Sequence, residues 1–539
     1  MKKLSKEDKT TIILAIVQLV FSFFTDYYIR KINIFNLSSA FDVMLFVTNK
    51  LIAFCVYIAL WKIIFVLKNR IKSKDSKAYS FLQIFIVYFA INIILLILTW
   101  PGIWRFDECK ILECVTQYRL EYWQHYLTSI FYNIALMLVP IPSGVIIVQI
   151  AVISCIVAYI ISNFKELLKN KKLANILYIP FLLLPLLDTN LYPIRLSIYT
   201  YIELLLVCQL IFMANKEKIT QKDILILLIS LIILSVWRNE GILFLVLIPI
   251  ICIFFLKNGI PKLSRRIGIS LLTVIISIAL IIPQEKSYKE TTNNRYEFTS
   301  FVNQLQIVVR KDIENGQMTE ETKEKINKVI DIDTFLKFNR GIYAHNDERM
   351  YKDYSPEEYK ELKKIYQKLV LKYPAEVMKE RLSLFLQTSG FKKDANVHVD
   401  NTRIIYTRPT NFAMKEFRTK YATAKPISLE IRNNAINMLE GWNLNCYDNC
   451  ETNIIFNIFY NVVPSMIVVF AACIISLIKR KWISFLTFGI ILLKAVAIML
   501  TAPDTFFMYY LPIYLVGYFT LILAIVLKID KNKDVKILL

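Results

Sequence analysis

The chain has 539 residues, 56% of them hydrophobic and 13% aromatic, with a formal charge of +22. This composition is too apolar for a water-soluble enzyme of that length. The apolar residues fall in blocks of about 17 to 25, long enough to cross a hydrocarbon core of about 30 Å. Net charge excludes little until its positions are known, because Lys and Arg clustered between apolar blocks report topology rather than a nucleic-acid surface.

The N-terminus, MKKLSKEDKTTIILAIVQLVFSFFTDYYIR, starts basic like a signal peptide. Its apolar part is long and ends in aromatics rather than a small-residue cleavage site, which predicts an uncleaved first span. Spans are expected at about 12–29, 44–67, 79–99, 145–163, 172–187, 195–213, 221–237, 241–256, 265–284, 453–478, 482–501 and 506–527. The expected fold class is therefore an α-helical polytopic membrane protein of about 12 transmembrane helices. The basic clusters, among them KNRIKSKDSK (68–77), KELLKNKK (165–172) and KNGIPKLSRR (257–266), all fall on one side of such an arrangement. The positive-inside rule makes that side cytoplasmic and puts both termini there, in a multi-pass protein of the cell membrane. The charge excess is then a topology signal, and no nucleic-acid partner is expected.

The expected organisation is a tail and two extra spans (1–78), a transmembrane core (79–284) and closing spans with a cytoplasmic tail (453–539). Two segments lie outside. The first large external loop, 100–144, starts outside, and the next basic loop is inside, so an odd number of crossings separates them. One crossing at 145–163 leaves 126–144 at the interface or dipping into the membrane; three crossings is the alternative. The second, 285–452, is an external soluble domain with nearly balanced charge, expected to be mainly helical. Within it Ser355 can cap a helix with Pro356 at its first position, and Pro374 opens a second helix that Gly390 can end. That second helix suits either a membrane surface or a soluble core.

Chemistry concentrates in TWPGIWRFDECKILECVTQYRLEYWQHY (99–126). Asp107 and Glu108 sit just beyond the outer end of the third span, where partial desolvation strengthens a carboxylate as a base. Adjacent residues point in different directions, so one acid rather than both faces a reaction centre. An ordinary solvated acid is the rival reading. His125 and Trp123 can contact a phosphate or stack on a sugar, or simply anchor the loop at the membrane surface. Arg238, in VWRNEG, and Arg195 are outer-edge arginines that can hold a phosphate; Arg238 can equally pair with Glu240. Four external cysteines, Cys109, Cys114, Cys446 and Cys450, can form disulfides, remain thiols or bind zinc, although their spacings match no common zinc motif. No Walker A, GxGxxG, HExxH or GxSxG pattern occurs.

The arrangement resembles the GT-C class of membrane glycosyltransferases, especially a poorly characterised multispanning group from Gram-positive bacteria. The matching elements are WPGIWRFDE followed by YWQHY, together with WRNEG, FVNQLQIVVRK (301–311), KYPAEVMKERL (372–382) and APDTFFMYYLPIYL (502–515). Each is short, and together they reach from about residue 79 onward. The resemblance implies a polyprenyl-phosphate sugar as donor, used on the extracytoplasmic face with a cell-envelope glycan, teichoic acid or lipid as acceptor. It implies that Asp107, with Glu108 second, is the base or a metal-site residue, which leaves a divalent metal such as Mg or Mn open. Where relatives have His-Pro this chain has His125-Tyr126. Its tail turn lacks the relatives' Arg and offers Tyr509 and Tyr510 instead, so Arg238 becomes the expected phosphate contact. The expected function is an inverting glycosyltransferase. A transporter or flippase of lipid-linked glycans is the alternative, disfavoured by the scarcity of mid-span charges. A polysaccharide polymerase or ligase is a third reading.

Overall fold

The structure is a computed structural model that describes residues 5–30, 39–292, 298, 300–337, 352–390, 422–440, 458–502, 507–531 and 535. The described residues form helices and no strands. Nine helices among them are long and apolar enough to cross a membrane, the architecture of an α-helical polytopic protein.

The first two spans are α1 (Lys6–Thr25, continued by a π turn Asp26–Arg30) and α2 (Ala40–Lys72). They pair with each other and leave long rows of Ile, Val and Phe exposed. Next come α3 (Ser76–Leu98), two short helices α4 (Phe106–Thr116) and α5 (Tyr126–Leu138), and α6 (Pro142–Leu167), which packs closely on α3. At 13 residues α5 is too short to span.

The run expected as one span at 172–187 is a 3-10 helix, Lys171–Leu182, bent by 70° into α7 (Leu184–Asn190), a pair that together is long and apolar enough for one broken span. Pro180 and Pro185 explain the break, since neither can donate a backbone hydrogen bond. Helix α8 (Arg195–Ala214) is buried along nearly its whole length, and α9 (Gln221–Val236) starts at a capping box formed by Thr220 and Asp223. The next span, Asn239–Asn258, mixes 3-10, α and π turns around a short α10 (Leu247–Ile250), and α11 (Leu263–Thr292) follows.

A second hydrophobic core joins α12 (Val302–Glu314), α13 (Glu320–Asn327), α14 (Ile332–Lys337) and α15 (Pro356–Lys372) around Phe301, Leu305, Phe335 and Leu362. Ser355 and Glu358 form the capping box of α15, and Pro374 opens α16 (Pro374–Thr388), which Gly390 follows at φ +80°. This unit is tied to the bundle by Arg381, which donates to the Ala502 carbonyl at 2.6 Å, and by Gln304, which donates to that of Leu500 at 3.0 Å. Helix α17 (Leu429–Glu440) lies against α7 and α3. The chain closes with α18 (Val463–Ile478), α19 (Trp482–Thr501) and α20 (Leu511–Asp530), the last packed among α8, α18 and the 3-10 helix.

Candidate functional site

The turn that opens α4 is built from Trp100, cis-Pro101 and Gly102. Gly102 adopts φ +92°, and a Cβ there would sit 3.0 Å from the Leu191 carbonyl, so only glycine fits. The turn is held from both sides. Ile103 donates to the Leu191 carbonyl at 3.0 Å, Trp100 Nε1 donates to that of Thr423 at 2.8 Å, and Arg432 donates to that of Gly102 at 3.3 Å. Its fixed geometry sets the direction in which α4 leaves.

The first turn of α4 carries the two acids, where the helix dipole favours negative charge. Their environments differ. Glu108 is fully buried and takes a two-pronged contact from Arg105, with Nε to Oε2 at 3.2 Å and Nη2 to Oε1 at 3.0 Å. Burial pushes the Glu108 carboxyl up, and Arg105 opposes that shift. Asp107 is half-buried and accepts from Gln124 Nε2 at 2.8 Å; among the described residues no Lys or Arg forms an ion pair with it. Glu108 is thus committed to a cation, and Asp107 remains available.

Arg105 also reaches the tail turn. Its guanidinium lies 3.6 Å from Met508 Sδ and 5.4 Å from the Tyr192 ring centroid. One residue on, the Tyr509 ring lies 5.8 Å from the Arg238 guanidinium, which sits equally far from Tyr199. The turn Phe507–Tyr510 therefore lies between Arg105, the partner of Glu108, and Arg238. Arg238 is buried and paired with Glu240, so the structural pairing weighed from the sequence is present. Arg195 donates to the Trp237 carbonyl at 3.1 Å, and Trp237 Nε1 donates to Thr128 at 3.0 Å. Tyr510 packs on Phe385 of α16.

His125 caps α5 from a left-handed backbone, φ +71°, with Nδ1 accepting from Leu127 N–H at 3.2 Å. It is almost completely buried, and burial with the nearby Arg195 pushes its pKa down to about 3, against the Val236 carbonyl. It is a neutral capping group that joins the first loop to the 236–238 turn. Trp123 is half-buried, with its backbone N–H donating to Glu121 at 3.0 Å.

Cys109 is a buried thiol on α4, and burial raises its pKa; Cys114 is half-buried, pushed up to about 11 by burial and Glu121. Cys446 and Cys450 lie outside the described residues. No group of three or more His, Cys, Asp or Glu side chains among the described residues is arranged to hold a metal, and Glu108 is spent on Arg105.

Sequence reasoning missed four residues. Arg105 stands three residues before Glu108, a helical pairing distance that the sequence displays. Gln124 positions Asp107 from an adjacent loop. Glu203 of α8 and Lys494 of α19 form an ion pair inside the bundle, electrostatically coupled to Arg238 and Glu240. Mid-span charge is therefore present, contrary to the argument made against a transporter. No family model, curated protein or solved structure matches this chain.

Proposed function

We propose that the protein is a membrane glycosyltransferase of GT-C type that moves a sugar from a polyprenyl-phosphate donor to a cell-envelope acceptor. In this reading the α4 end of the bundle is extracytoplasmic and the chain crosses the membrane about 12 times, with the short helices α9 and α18 among the spans. The observation that carries it is the division of labour between the two acids. Glu108 neutralises Arg105, while Asp107 is held by Gln124 and forms no ion pair with a Lys or Arg among the described residues.

Asp107 takes the proton from an acceptor hydroxyl as its oxygen bonds to the anomeric carbon. The bond from that carbon to the phosphate oxygen breaks, and polyprenyl phosphate leaves with the electron pair. Arg238 and Arg195 favour the leaving phosphate electrostatically. Because Arg238 is already paired with Glu240, its contribution is a polarised guanidinium rather than a free charge. Inversion follows from a single displacement.

The experiment is transfer of radiolabelled hexose from a polyprenyl-phosphate carrier in membranes containing the protein. Asp107→Asn is expected to abolish transfer while Glu108→Gln lowers it through disturbed folding of α4. Full transfer by folded Asp107→Asn overturns the assignment. The flippase reading gains from the buried Glu203–Lys494 pair, since transporters place charge at mid-membrane. It predicts movement of an intact labelled lipid across a proteoliposome with no change in its sugar.

A further inference from the structure

We infer that α17 is an interfacial helix, seated in the headgroup and acyl boundary of the bilayer rather than in a free soluble domain. Among the described residues one face of this helix packs on the bundle, and a second, apolar flank is exposed. Arg432, Ile436 and Leu439 are buried toward the bundle. At about 100° per residue Ile431 and Met438 share a neighbouring flank, and they are 50% and 60% exposed. Glu430 and Asn434, both exposed, lie on the next flank round. A buried stripe, an exposed apolar stripe and a polar stripe in that order are what a helix lying along a membrane surface presents.

The occupant of the exposed stripe follows from position. Helix α17 packs on α3, whose exposed Ile94, Ile97 and Leu98 form the last turns of a lipid-facing span. The span ends at Trp100, a residue type that settles at the headgroup level, and Trp100 Nε1 is bonded to the Thr423 carbonyl just ahead of α17. Arg432 is anchored to the carbonyl of Gly102. These two bonds hold α17 at the depth where α3 leaves the hydrocarbon, so its apolar flank continues the lipid-facing surface of α3. The same bonds grip the turn that aims α4, which links membrane contact to the position of Asp107. The inference rests on α3 being a membrane span and is independent of the transferase reading.

The test is nitroxide labelling of single cysteines in phosphatidylcholine and phosphatidylglycerol liposomes, with the parent protein supplying the background signal. Accessibility to oxygen reports lipid, and accessibility to a nickel chelate reports water. Ile431→Cys and Met438→Cys are expected to show an oxygen-to-nickel ratio several-fold above Glu430→Cys and Asn434→Cys. Nickel access at Ile431→Cys and Met438→Cys overturns the inference in favour of water. Inaccessibility to both reagents overturns it in favour of a protein cover. Ile86→Cys, on the exposed middle of α3, separates the two premises. A lipid signal there with a water signal at Ile431→Cys defeats the interfacial helix alone, and a water signal at both defeats the spanning assignment as well.

Discussion

Helices α2 and α8 have similar mean hydropathy and opposite surroundings. Over their most apolar windows, 94% of α8 is buried inside the protein and 11% of α2 is. A helix walled by protein can carry charge if each charge finds a partner, and α8 does so with Glu203 against Lys494. A helix facing lipid can carry charge only on its one inward side. Helix α2 does that with Lys50, which pairs with Asp26 and donates to Ser22 at 2.7 Å. Burial thus divides the bundle into a core that organises the candidate site and a hairpin that is attached to it.

The largest effect is expected where the comparison is sharpest. Glu203→Gln leaves Lys494 charged in a fully buried position and is expected to cost about 3–5 kcal/mol, read as thermal stability in detergent. The double variant Glu203→Gln with Lys494→Gln is expected to recover much of that loss, because the stranded charge is gone. Equal destabilisation by the single and double variants would show that the pair is no electrostatic unit.

The division was only partly readable beforehand. Local signals were legible: Ser355 and Pro356 announce the start of α15, and the Trp-Pro-Gly turn announces the break before α4. Both depend on residues adjacent in sequence. Glu203 and Lys494 are 291 positions apart, and apolar periodicity carries no information on which lone charge meets which. The prolines that break 171–190 were visible but were outweighed by the length of the apolar run. At the site, the sequence marked Asp107, Glu108 and Arg238, but only the fold separates the paired acid from the available one. Arg105 does that, from a distance of three residues.

The hairpin offers a smaller and more local effect. Asp26 sits between two cations, with Arg30 Nε at 3.4 Å and Lys50 in direct contact. Arg30 in turn donates to the Val115 carbonyl at 2.5 Å, and Tyr57 donates to that of Met137 at 2.9 Å. These polar ties, with a small apolar cluster of Ala15, Ala53 and Tyr57 against Met137 and Leu138, fasten α1 and α2 to the first loop. Asp26→Asn is expected to cost about 1–3 kcal/mol and to act on the hairpin alone. Amide exchange should rise in α1 and α2 while α6 and α8 keep their protection. A uniform rise across all four helices would make the hairpin part of the core.

His125 tests the join between these regions through pH. Its pKa in the folded protein lies near 3, well below the 6.5 of an exposed imidazole, because burial and Arg195 disfavour the cation. The unfolded chain therefore binds a proton that the folded chain refuses. Stability from this group is complete above about pH 6.5 and declines as pH falls toward 3, by at most roughly 1.4 kcal/mol per pH unit. Between pH 6.5 and 5.5 the loss is about 1 kcal/mol or less. His125→Asn suits the left-handed backbone and keeps an acceptor for Leu127 N–H, so it should remove this slope while lowering stability only modestly at neutral pH. Parallel stability curves for the two proteins from pH 7 to pH 5 would mean that His125 is hydrated, and that the first loop is not sealed against the 236–238 turn.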